Sequence, residues 1–344
     1  MSENLAAGSE EKCVAPWKLL QMMTGYWVTQ AIYVAAKLGI ADLLEKGPLN
    51  CDELANRTKS DALSLYRTLR ALASVGVFSE VAPREFALTP LAALLRTTVP
   101  NSMRSLAIMY AEEQYRAWGE MLYSVRTGRP AFEHQFGMGV FEYFAQNPAA
   151  GTVFNEAMSG LTSQTADALA KAYNFSEFKT IVDVGGNLGT MLAAILREYP
   201  LTRGILFDRQ NVVVTAAEHL ARAGLDKRCQ CVGGDFFASV PSGGDAYLLA
   251  SVLHDWDDDR CVAILTKCRE VMPRDGKLLV IELVLPAGDV PHPGKWVDLH
   301  MLVMAGGRER TETQYKDLFI SGGFNLTQVS SLPSGQSVLE AVPV

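Results

Sequence analysis

The chain has 344 residues, of which 49% are hydrophobic and 20% charged, and its net charge is −7 at pH 7. This length exceeds that of an ordinary single domain and predicts two domains, each with its own core. Because phosphate binding needs clustered positive charge, an acidic chain without basic runs disfavours a nucleic-acid partner. No apolar run approaches the ~18 residues of a membrane span, and the start of the chain is polar and acidic. We therefore expect a cytoplasmic protein with no membrane partner.

The first predicted region, residues 1–110, is mainly helical. Apolar residues recur at helical spacing over residues 17–44, and two short helices and a strand pair follow. This order indicates a winged helix. Arg67 and Arg70 on the second short helix raise the possibility of DNA binding, but the helix is otherwise Leu, Tyr and Ala. A helical dimerisation module is the favoured interpretation.

The second predicted region, residues 111–175, continues as helices that are rich in aromatic residues and methionine. Aromatic residues and methionines at helical spacing usually form a hydrophobic core. Here they are more numerous than helices that only connect two domains require. We therefore expect part of this region to line a pocket for an apolar or aromatic ligand.

The third predicted region, residues 176–344, alternates strands with helices, which is typical of an α/β fold with a parallel sheet. A hairpin signal at residues 333–336 joins two final strands, so the sheet is expected to end in an antiparallel pair. The predicted parallel strands cover residues 180–184, 204–207, 229–233, 246–250 and 277–283, and the apolar run after the fourth extends the predicted strand to residue 253.

The six cysteines form neither a CxxC pair nor a zinc-binding spacing. Most lie within apolar patterns, as reduced core thiols do. Two of them lie two residues apart on one predicted strand, so a metal or redox role is the alternative there. We expect structural thiols and no metal. The six are Cys13, Cys51, Cys229, Cys231, Cys261 and Cys268.

A glycine loop, DVGGNLG, follows the first strand of this region and places a ligand at that strand's carboxyl end. The dinucleotide fingerprint G-x-G-x-x-G is not met: Gly186 and Gly189 fit, but Val184 stands in place of the first glycine. Asp183 would repel a pyrophosphate and attract a cation. S-adenosylmethionine carries a sulfonium and an ammonium and no phosphate, so it suits this loop better than NAD.

Two further acids follow neighbouring strands. Asp208 ends the second strand, about 20 residues past the loop, where a carboxylate can bind both ribose hydroxyls. Asp235 follows the third strand, where it can hold an adenine amino group while Phe236 packs on the ring. Each alone is an ordinary loop acid, but three acids at three successive strand ends indicate one binding site.

A histidine, His254, leaves the fourth strand at the same edge of the sheet. Glu282 stands inside an apolar strand, where a carboxylate is costly unless it is paired. Glu309 lies in a polar turn before the last helix, which a capping box of Thr311 and Gln314 is expected to begin. A histidine with two carboxylates is what a general base needs, because the acids fix its tautomer and stabilise its protonated form. A structural, hydrogen-bonded histidine is the alternative.

The segments DVGGNLG, FD, GGDFF, LHDWDDDRC, VIELVLP and GGRERT, in this order, resemble the S-adenosylmethionine-dependent O-methyltransferases of the plant caffeate and animal acetylserotonin type. The resemblance covers nearly the whole chain. It implies a Rossmann-like methyltransferase sheet, an N-terminal winged-helix dimerisation domain and a homodimer.

The same resemblance implies roles for individual residues. His254 would deprotonate a hydroxyl of a small aromatic or apolar acceptor, with Glu282 and Glu309 flanking the imidazole. The resemblance implies cofactor contacts at Gly185, Asp208, Asp235 and Phe236. The glycine loop itself already indicates Asp183 and Gly186 as further cofactor contacts. The implied acceptor contacts are Asp255, Phe154, Met158, His300 and Met301.

Three features depart from the family pattern. Asn187 replaces a glycine of the loop and narrows the space at the methionine end. Ala250 stands where many plant members carry a lysine toward the adenine, and the animal enzymes share this alanine. FDRQNV replaces the usual FDLPHV after Asp208.

Three alternatives stay open from the sequence. The same scaffold could methylate nitrogen or carbon, the chain could be a non-catalytic winged-helix regulator that senses a ligand, or it could be an NAD dehydrogenase. Asp183 and the missing glycine argue against the last.

Overall fold

The structure is a computed structural model that describes residues 15–99 and 101–344, apart from the side chain of Gln164. Cys13 lies outside the described residues. The chain divides into two units, Met1–Glu112 and Glu113–Val344. The division into 1–110, 111–175 and 176–344 stays a prediction.

The first unit is helical with one small sheet. Residues 15–23 are helical, and the sheet is antiparallel with strand order β1-β3-β2. Two helices followed by a strand pair give the winged-helix arrangement that the sequence predicts. The elements are α1 (Gly25–Lys37), α2 (Ile40–Leu43), β1 (Leu49–Asn50), α3 (Cys51–Thr58), α4 (Ala62–Ser74), β2 (Phe78–Ala82), β3 (Glu85–Leu88), α5 (Pro90–Ala93) and α6 (Arg104–Ala111).

Side-chain caps set where these short helices begin. Asn50 accepts a hydrogen bond from the backbone N–H of Asp52 at the start of α3, and Asp61 accepts one from Ser64 at the start of α4. On α4 the side chains at positions 65, 69 and 72 are buried, which is the helical spacing of one core-facing stripe.

Large apolar side chains of residues 15–27 stay exposed within this unit. Trp17 is 69% exposed, Met22 68% and Trp27 61%. Exposed apolar side chains this close together in sequence are typical of a protein–protein contact surface.

The second unit begins with five helices, as the aromatic-rich sequence predicts. They pack around a cluster that includes Phe132, Phe144 and Val303. The helices are α7 (Glu113–Gly119), α8 (Met121–Thr127), α9 (Ala131–Phe136), α10 (Val140–Gln146) and α11 (Pro148–Ala172).

The rest of the second unit is a seven-stranded sheet of order β6-β5-β4-β7-β8-β10-β9. The first five strands in this order are parallel, and β10 and β9 are antiparallel. The predicted fold class is therefore confirmed. The elements are β4 (Thr180–Val184), α12 (Thr190–Glu198), β5 (Arg203–Asp208), α13 (Gln210–Arg222), β6 (Cys229–Gly233), β7 (Ala246–Ala250), α14 (Asp258–Val271), β8 (Lys277–Glu282), α15 (Gly294–Met304), α16 (Glu312–Ser321), β9 (Phe324–Ser331) and β10 (Ser337–Pro343).

The fourth parallel strand is shorter than the sequence predicts. It ends at Ala250, and a 3-10 turn, Leu253–Asp255, follows. The backbone of Ser251 has φ +54°, a left-handed conformation that a strand cannot continue through. His254 therefore lies on a turn beyond the strand rather than at its last position.

Two other sequence expectations concern thiols and membranes. The cysteines at positions 51, 229, 231, 261 and 268 are free thiols. Within the described ranges, the search for a helix long and apolar enough to cross a membrane finds none.

Candidate active site

The edge of the sheet at the carboxyl ends of the parallel strands gathers the predicted polar residues. Asp208 and Glu282 are the last residues of β5 and β8, and Asp183 is one residue from the end of β4. Asp235 and His254 lie on the segments that follow β6 and β7. Because the strands are parallel, all these positions lie along one edge.

Glu282 shapes the turn that carries His254. Its Oε1 accepts hydrogen bonds from the backbone N–H groups of Val252 (3.1 Å), Leu253 (2.9 Å) and His254 (3.3 Å). These groups would otherwise be orphaned at the start of the 3-10 turn. A carboxylate that costs energy inside an apolar strand is thus stabilised by three backbone donors.

Arg310 clamps the other side of the same turn and is only 1% exposed. Its Nη1 donates to the Leu253 carbonyl (3.0 Å), and its Nη2 donates to the Trp256 carbonyl (2.9 Å) and to Asp258 Oδ1 (2.8 Å). Sequence reasoning missed this residue. The signal in the sequence was the run of three aspartates at positions 257–259. One of them is sufficient to cap the helix, so a positive side chain close to the others could have been expected.

The neighbouring aspartates also serve the helix, as the sequence predicts. Asp257 accepts a hydrogen bond from the Arg260 N–H and caps α14. The predicted capping box of Thr311 and Gln314 is present at the start of α16.

The imidazole of His254 lies among three carboxylates. Its Nδ1 is 2.7 Å from Glu309 Oε1 and 3.7 Å from Glu282 Oε2, and its Nε2 is 3.7 Å from Asp255 Oδ1. The Glu309 backbone N–H donates in turn to Asp298 Oδ1 (2.9 Å). At this short distance the Nδ1–H group of His254 donates to Glu309 Oε1. In the neutral ring the lone pair therefore lies on Nε2.

The pKa values of this cluster depend on burial and on its charges. Burial lowers the pKa of His254, but Glu282, Asp255 and Glu309 outweigh it, so that this pKa lies well above its usual 6.5. Burial raises the pKa of Glu282 to about 7 and that of Asp255 to about 6, each against the opposing effect of His254. The cluster therefore holds a strongly basic imidazole and shares its protons among several groups.

The same cluster offers three atoms that could ligate a metal, one each from His254, Glu282 and Glu309, within 4.8 Å of one another. However, Nδ1 is already at hydrogen-bond distance from Glu309, and one Glu282 oxygen binds three backbone N–H groups. Backbone donors and the imidazole thus satisfy one oxygen of each glutamate, whereas Glu282 Oε2 and Glu309 Oε2 have no hydrogen-bond partner among the described residues.

At two glycines of the loop the backbone is packed so closely that a side chain is excluded. A Cβ on Gly186 would lie 2.3 Å from Leu206 Cδ1 and 2.6 Å from Asp183 Oδ2. Gly185 has φ +75°, and a Cβ there would lie 2.9 Å from Val252 Cγ2. Both glycines let the backbone approach the sheet edge.

The two acids beside this loop form no salt bridge with another described residue. Asp183 is 1% exposed and neither of its carboxylate oxygens has a hydrogen-bond partner among the described residues. Burial and then Asp208 raise its pKa to about 7. Burial also raises the pKa of Asp208, whose oxygens accept the backbone N–H groups of Asn187 (2.8 Å) and Arg209 (2.7 Å).

Asp235 and Phe236 complete the cofactor residues predicted from the sequence. Asp235 Oδ1 accepts the backbone N–H of Phe237 (2.9 Å). The Phe236 ring lies edge-on to Trp256, with 6.0 Å between centroids. The Phe236 ring thus lies beside the residue that follows the 3-10 turn of His254.

Four of the five predicted acceptor residues lie on two helices, and the fifth, Asp255, lies on the 3-10 turn beside His254. Phe154 and Met158 belong to α11, and His300 and Met301 belong to α15. His300 Nδ1 accepts a hydrogen bond from Trp118 Nε1 (2.9 Å). Burial and then the charge of His254 lower the pKa of His300 to about 4, so this ring is neutral.

Aromatic rings surround this helix pair. Phe154 stacks on Phe144 at 4.6 Å, and Met301 is 7% exposed and buried. A cavity of about 340 Å³ adjoins the sheet edge, with Phe141, Arg209 and Trp256 in its wall. Arg209 belongs to the segment FDRQNV, which departs from the family pattern, and it lies in the wall of this cavity.

A parallel sheet with a glycine loop, strand-end acids and a histidine–glutamate pair defines a Rossmann-like methyltransferase. The model of the O-methyltransferase domain matches residues 118–325, and that of the O-methyltransferase dimerisation domain matches residues 20–98. The chain belongs to the O-methyltransferase family, whose members use S-adenosylmethionine.

Its relatives share most of its length. The phenazine O-methyltransferase PhzM of Lysobacter antibioticus is 53% identical over 344 residues, covering 100% of both chains. A phenazine-1-carboxylate N-methyltransferase of Pseudomonas aeruginosa is 34% identical, covering 92% of this chain and 93% of that one.

Solved structures agree with the fold. The crystal structure of LaPhzM has a TM-score of 0.94 and 54% identity, covering 96% of this chain and 99% of that one. Human N-acetylserotonin methyltransferase in complex with SAM has a TM-score of 0.88 and 28% identity, covering 96% of this chain and 97% of that one. The chain is therefore an S-adenosylmethionine-dependent O-methyltransferase.

Proposed function

We propose that this enzyme methylates a hydroxyl group of a small, planar aromatic acceptor and that His254 is its general base. The observation that carries the proposal is the contact of 2.7 Å between His254 Nδ1 and the buried Glu309 carboxylate. It leaves Nε2 as the atom that accepts a proton.

The proton transfer involves only groups of this cluster. Nε2 takes the proton of the acceptor hydroxyl, and the imidazolium that forms is stabilised by Glu309 at Nδ1 and by Glu282 3.7 Å away. S-adenosylmethionine, when bound, would supply an electrophilic methyl group to the acceptor oxygen, with the S–CH₃ bond broken and S-adenosylhomocysteine as the leaving group. The aligned acceptor and cofactor contribute most of the rate, and the base adds roughly 10²- to 10⁴-fold.

The cofactor would lie along the strand ends, with Asp208 on the ribose, Asp235 on the adenine amino group and Phe236 on the ring. Gly185 and Gly186 would admit its methionine portion. The buried Asp183 fits a cationic ligand, because its two carboxylate oxygens have no partner among the described residues.

The acceptor would contact Asp255, Phe154, Met158, His300 and Met301. Their surroundings are aromatic, and His300 is held neutral beside Trp118. Together with the name of the 53% identical relative, this favours a polycyclic acceptor such as a hydroxylated phenazine.

We further propose that the enzyme is a homodimer. The match to the dimerisation domain and the exposed Trp17, Met22 and Trp27 support this. Analytical ultracentrifugation of the full chain tests it, and a monomer at micromolar concentration would contradict it.

The acceptor atom is tested with paired substrates. Labelled S-adenosylmethionine is supplied with 1-hydroxyphenazine, 1-aminophenazine or phenazine-1-carboxylate, and products are identified by mass spectrometry. We expect an O-methyl product from the hydroxyl compound alone. An N-methyl product formed faster, as the name of the Pseudomonas aeruginosa relative would suggest, would overturn the hydroxyl assignment.

A further inference from the structure

Asn187 replaces a glycine of the cofactor loop and contacts two parts of the site. It has φ +51°, a left-handed conformation that glycine adopts freely and that asparagine tolerates better than most residues. Its backbone N–H donates to Asp208 Oδ2 (2.8 Å), and its side-chain Nδ2 donates to the carbonyl of Asn155 on α11 (3.2 Å).

The orientation of the amide is fixed by these contacts. The Asn155 carbonyl can only accept, so the amide atom next to it is the nitrogen, and the oxygen is the other one. Asn187 Oδ1 is buried and has no hydrogen-bond partner among the described residues. A buried amide oxygen without a donor is uncommon and destabilising, so it calls for a donor that the described residues do not supply, either a water molecule or a ligand group.

That ligand group must be a donor. The methionine portion of the cofactor has one donor, its ammonium, since the sulfonium has none and the carboxylate only accepts. The ribose hydroxyls and the adenine amino group are donors too, but Asp208 and Asp235 lie at the strand ends proposed for them. The buried carboxyl group of Asp183 beside the loop has no hydrogen-bond partner among the described residues, so a cationic donor nearby would stabilise its charged form as well.

We propose that Asn187 Oδ1 accepts a hydrogen bond from the cofactor's methionine ammonium, while its Nδ2 holds α11, so that one amide connects the cofactor loop to the helix of Phe154 and Met158. This inference rests on the proposed placement of the cofactor along the sheet edge. Asn187 is a positioning residue, because it acts on the reaction through the cofactor and α11.

The test compares two ligands by isothermal titration calorimetry: S-adenosylhomocysteine and its analogue in which hydrogen replaces the amino group. Asn187→Gly keeps the backbone conformation and removes the amide. We expect it to bind S-adenosylhomocysteine ~10-fold more weakly and the analogue unchanged, as for the loss of one hydrogen bond to a charged group. Asn187→Asp, which keeps an acceptor oxygen, is expected to retain the preference for the amino ligand.

A second hydrogen bond, between α11 and the start of the helix that follows the glycine loop, supplies a matched control. The Ser159 hydroxyl on α11 is hydrogen-bonded to that of Thr190 at the start of α12, and Ser159→Ala is expected to leave the preference intact. Equal weakening of both ligands by Asn187→Gly, or no weakening of either, would overturn the inference. If the wild-type chain bound neither ligand, the proposed cofactor placement itself would fail.

Discussion

The carboxyl groups around His254 and those beside the glycine loop differ in their hydrogen-bond and charge partners. Around His254 each acid lies beside a cation or a backbone donor: Glu309 contacts the imidazole, and Asp258 contacts Arg310. At the glycine loop Asp183 has no partner among the described residues, and Asp208 accepts only backbone N–H groups. The histidine end is therefore preorganised, whereas at the glycine loop the buried Asp183 is left without a partner that a cationic ligand could supply.

The largest effect is expected at the histidine end. His254→Ala removes the base and should lower kcat roughly 10²- to 10⁴-fold, while S-adenosylhomocysteine affinity stays near wild type because the cofactor acids are untouched. Radiolabelled methyl transfer and calorimetry on the same preparation measure both quantities. Nearly full turnover on a weakly acidic phenol would show that His254 is not the base.

Replacement of the buried Arg310 should destabilise the fold. Arg310→Met leaves the carbonyls of Leu253 and Trp256 and the carboxylate of Asp258 without their donor. We expect unfolding free energy to fall by about 3 kcal/mol, at the lower end for breaking a buried ion pair because Asp258 is half-exposed. Urea denaturation measures it.

Arg308 provides the matched control for that substitution. It pairs with the same Asp258 but is half-exposed, so Arg308→Met should cost about 0–1 kcal/mol. Equal losses for both variants would mean that burial of Arg310 does not matter.

At the cofactor end the expected effect is smaller. Asp208→Asn keeps the size of the side chain but removes a charged acceptor for the ribose hydroxyls, and we expect S-adenosylhomocysteine to bind ~10-fold more weakly. The exposed Asp226, changed to Asn, is the control for net charge. If both variants bound the ligand as wild type does, Asp208 would lie outside the cofactor site.

Local sequence patterns were sufficient to predict the sheet, the glycine loop and the acids at strand ends, because each depends on a few adjacent residues. The caps at Asp257 and Thr311 were predictable for the same reason. The contacts of the buried Arg310 and the Trp118–His300 hydrogen bond join residues far apart in the chain, and the run of aspartates at positions 257–259 is at most a weak local sign of the first.

The clearest error of the sequence analysis lies beside His254. The apolar run through residue 253 predicted strand, but the backbone leaves the sheet at Ser251, and Glu282 caps the turn from another strand. A contact across the sheet thus outweighed the local preference for strand. The individual roles of the site residues remain predictions.

The smallest expected effect is a shift in pH dependence. A base works only when it is unprotonated, and the carboxylates hold the pKa of His254 well above 6.5, so kcat/KM for a weakly acidic acceptor should rise with pH above that value. Glu282→Gln removes one of these charges and lowers the pKa of His254, so the rising limb should move to lower pH by ~1 unit. The exposed Glu312, changed to Gln, should leave the profile in place. An unmoved profile in a folded Glu282→Gln variant would mean that Glu282 serves only to cap the turn, and the preorganisation of the histidine end would then rest on Glu309 and Asp255.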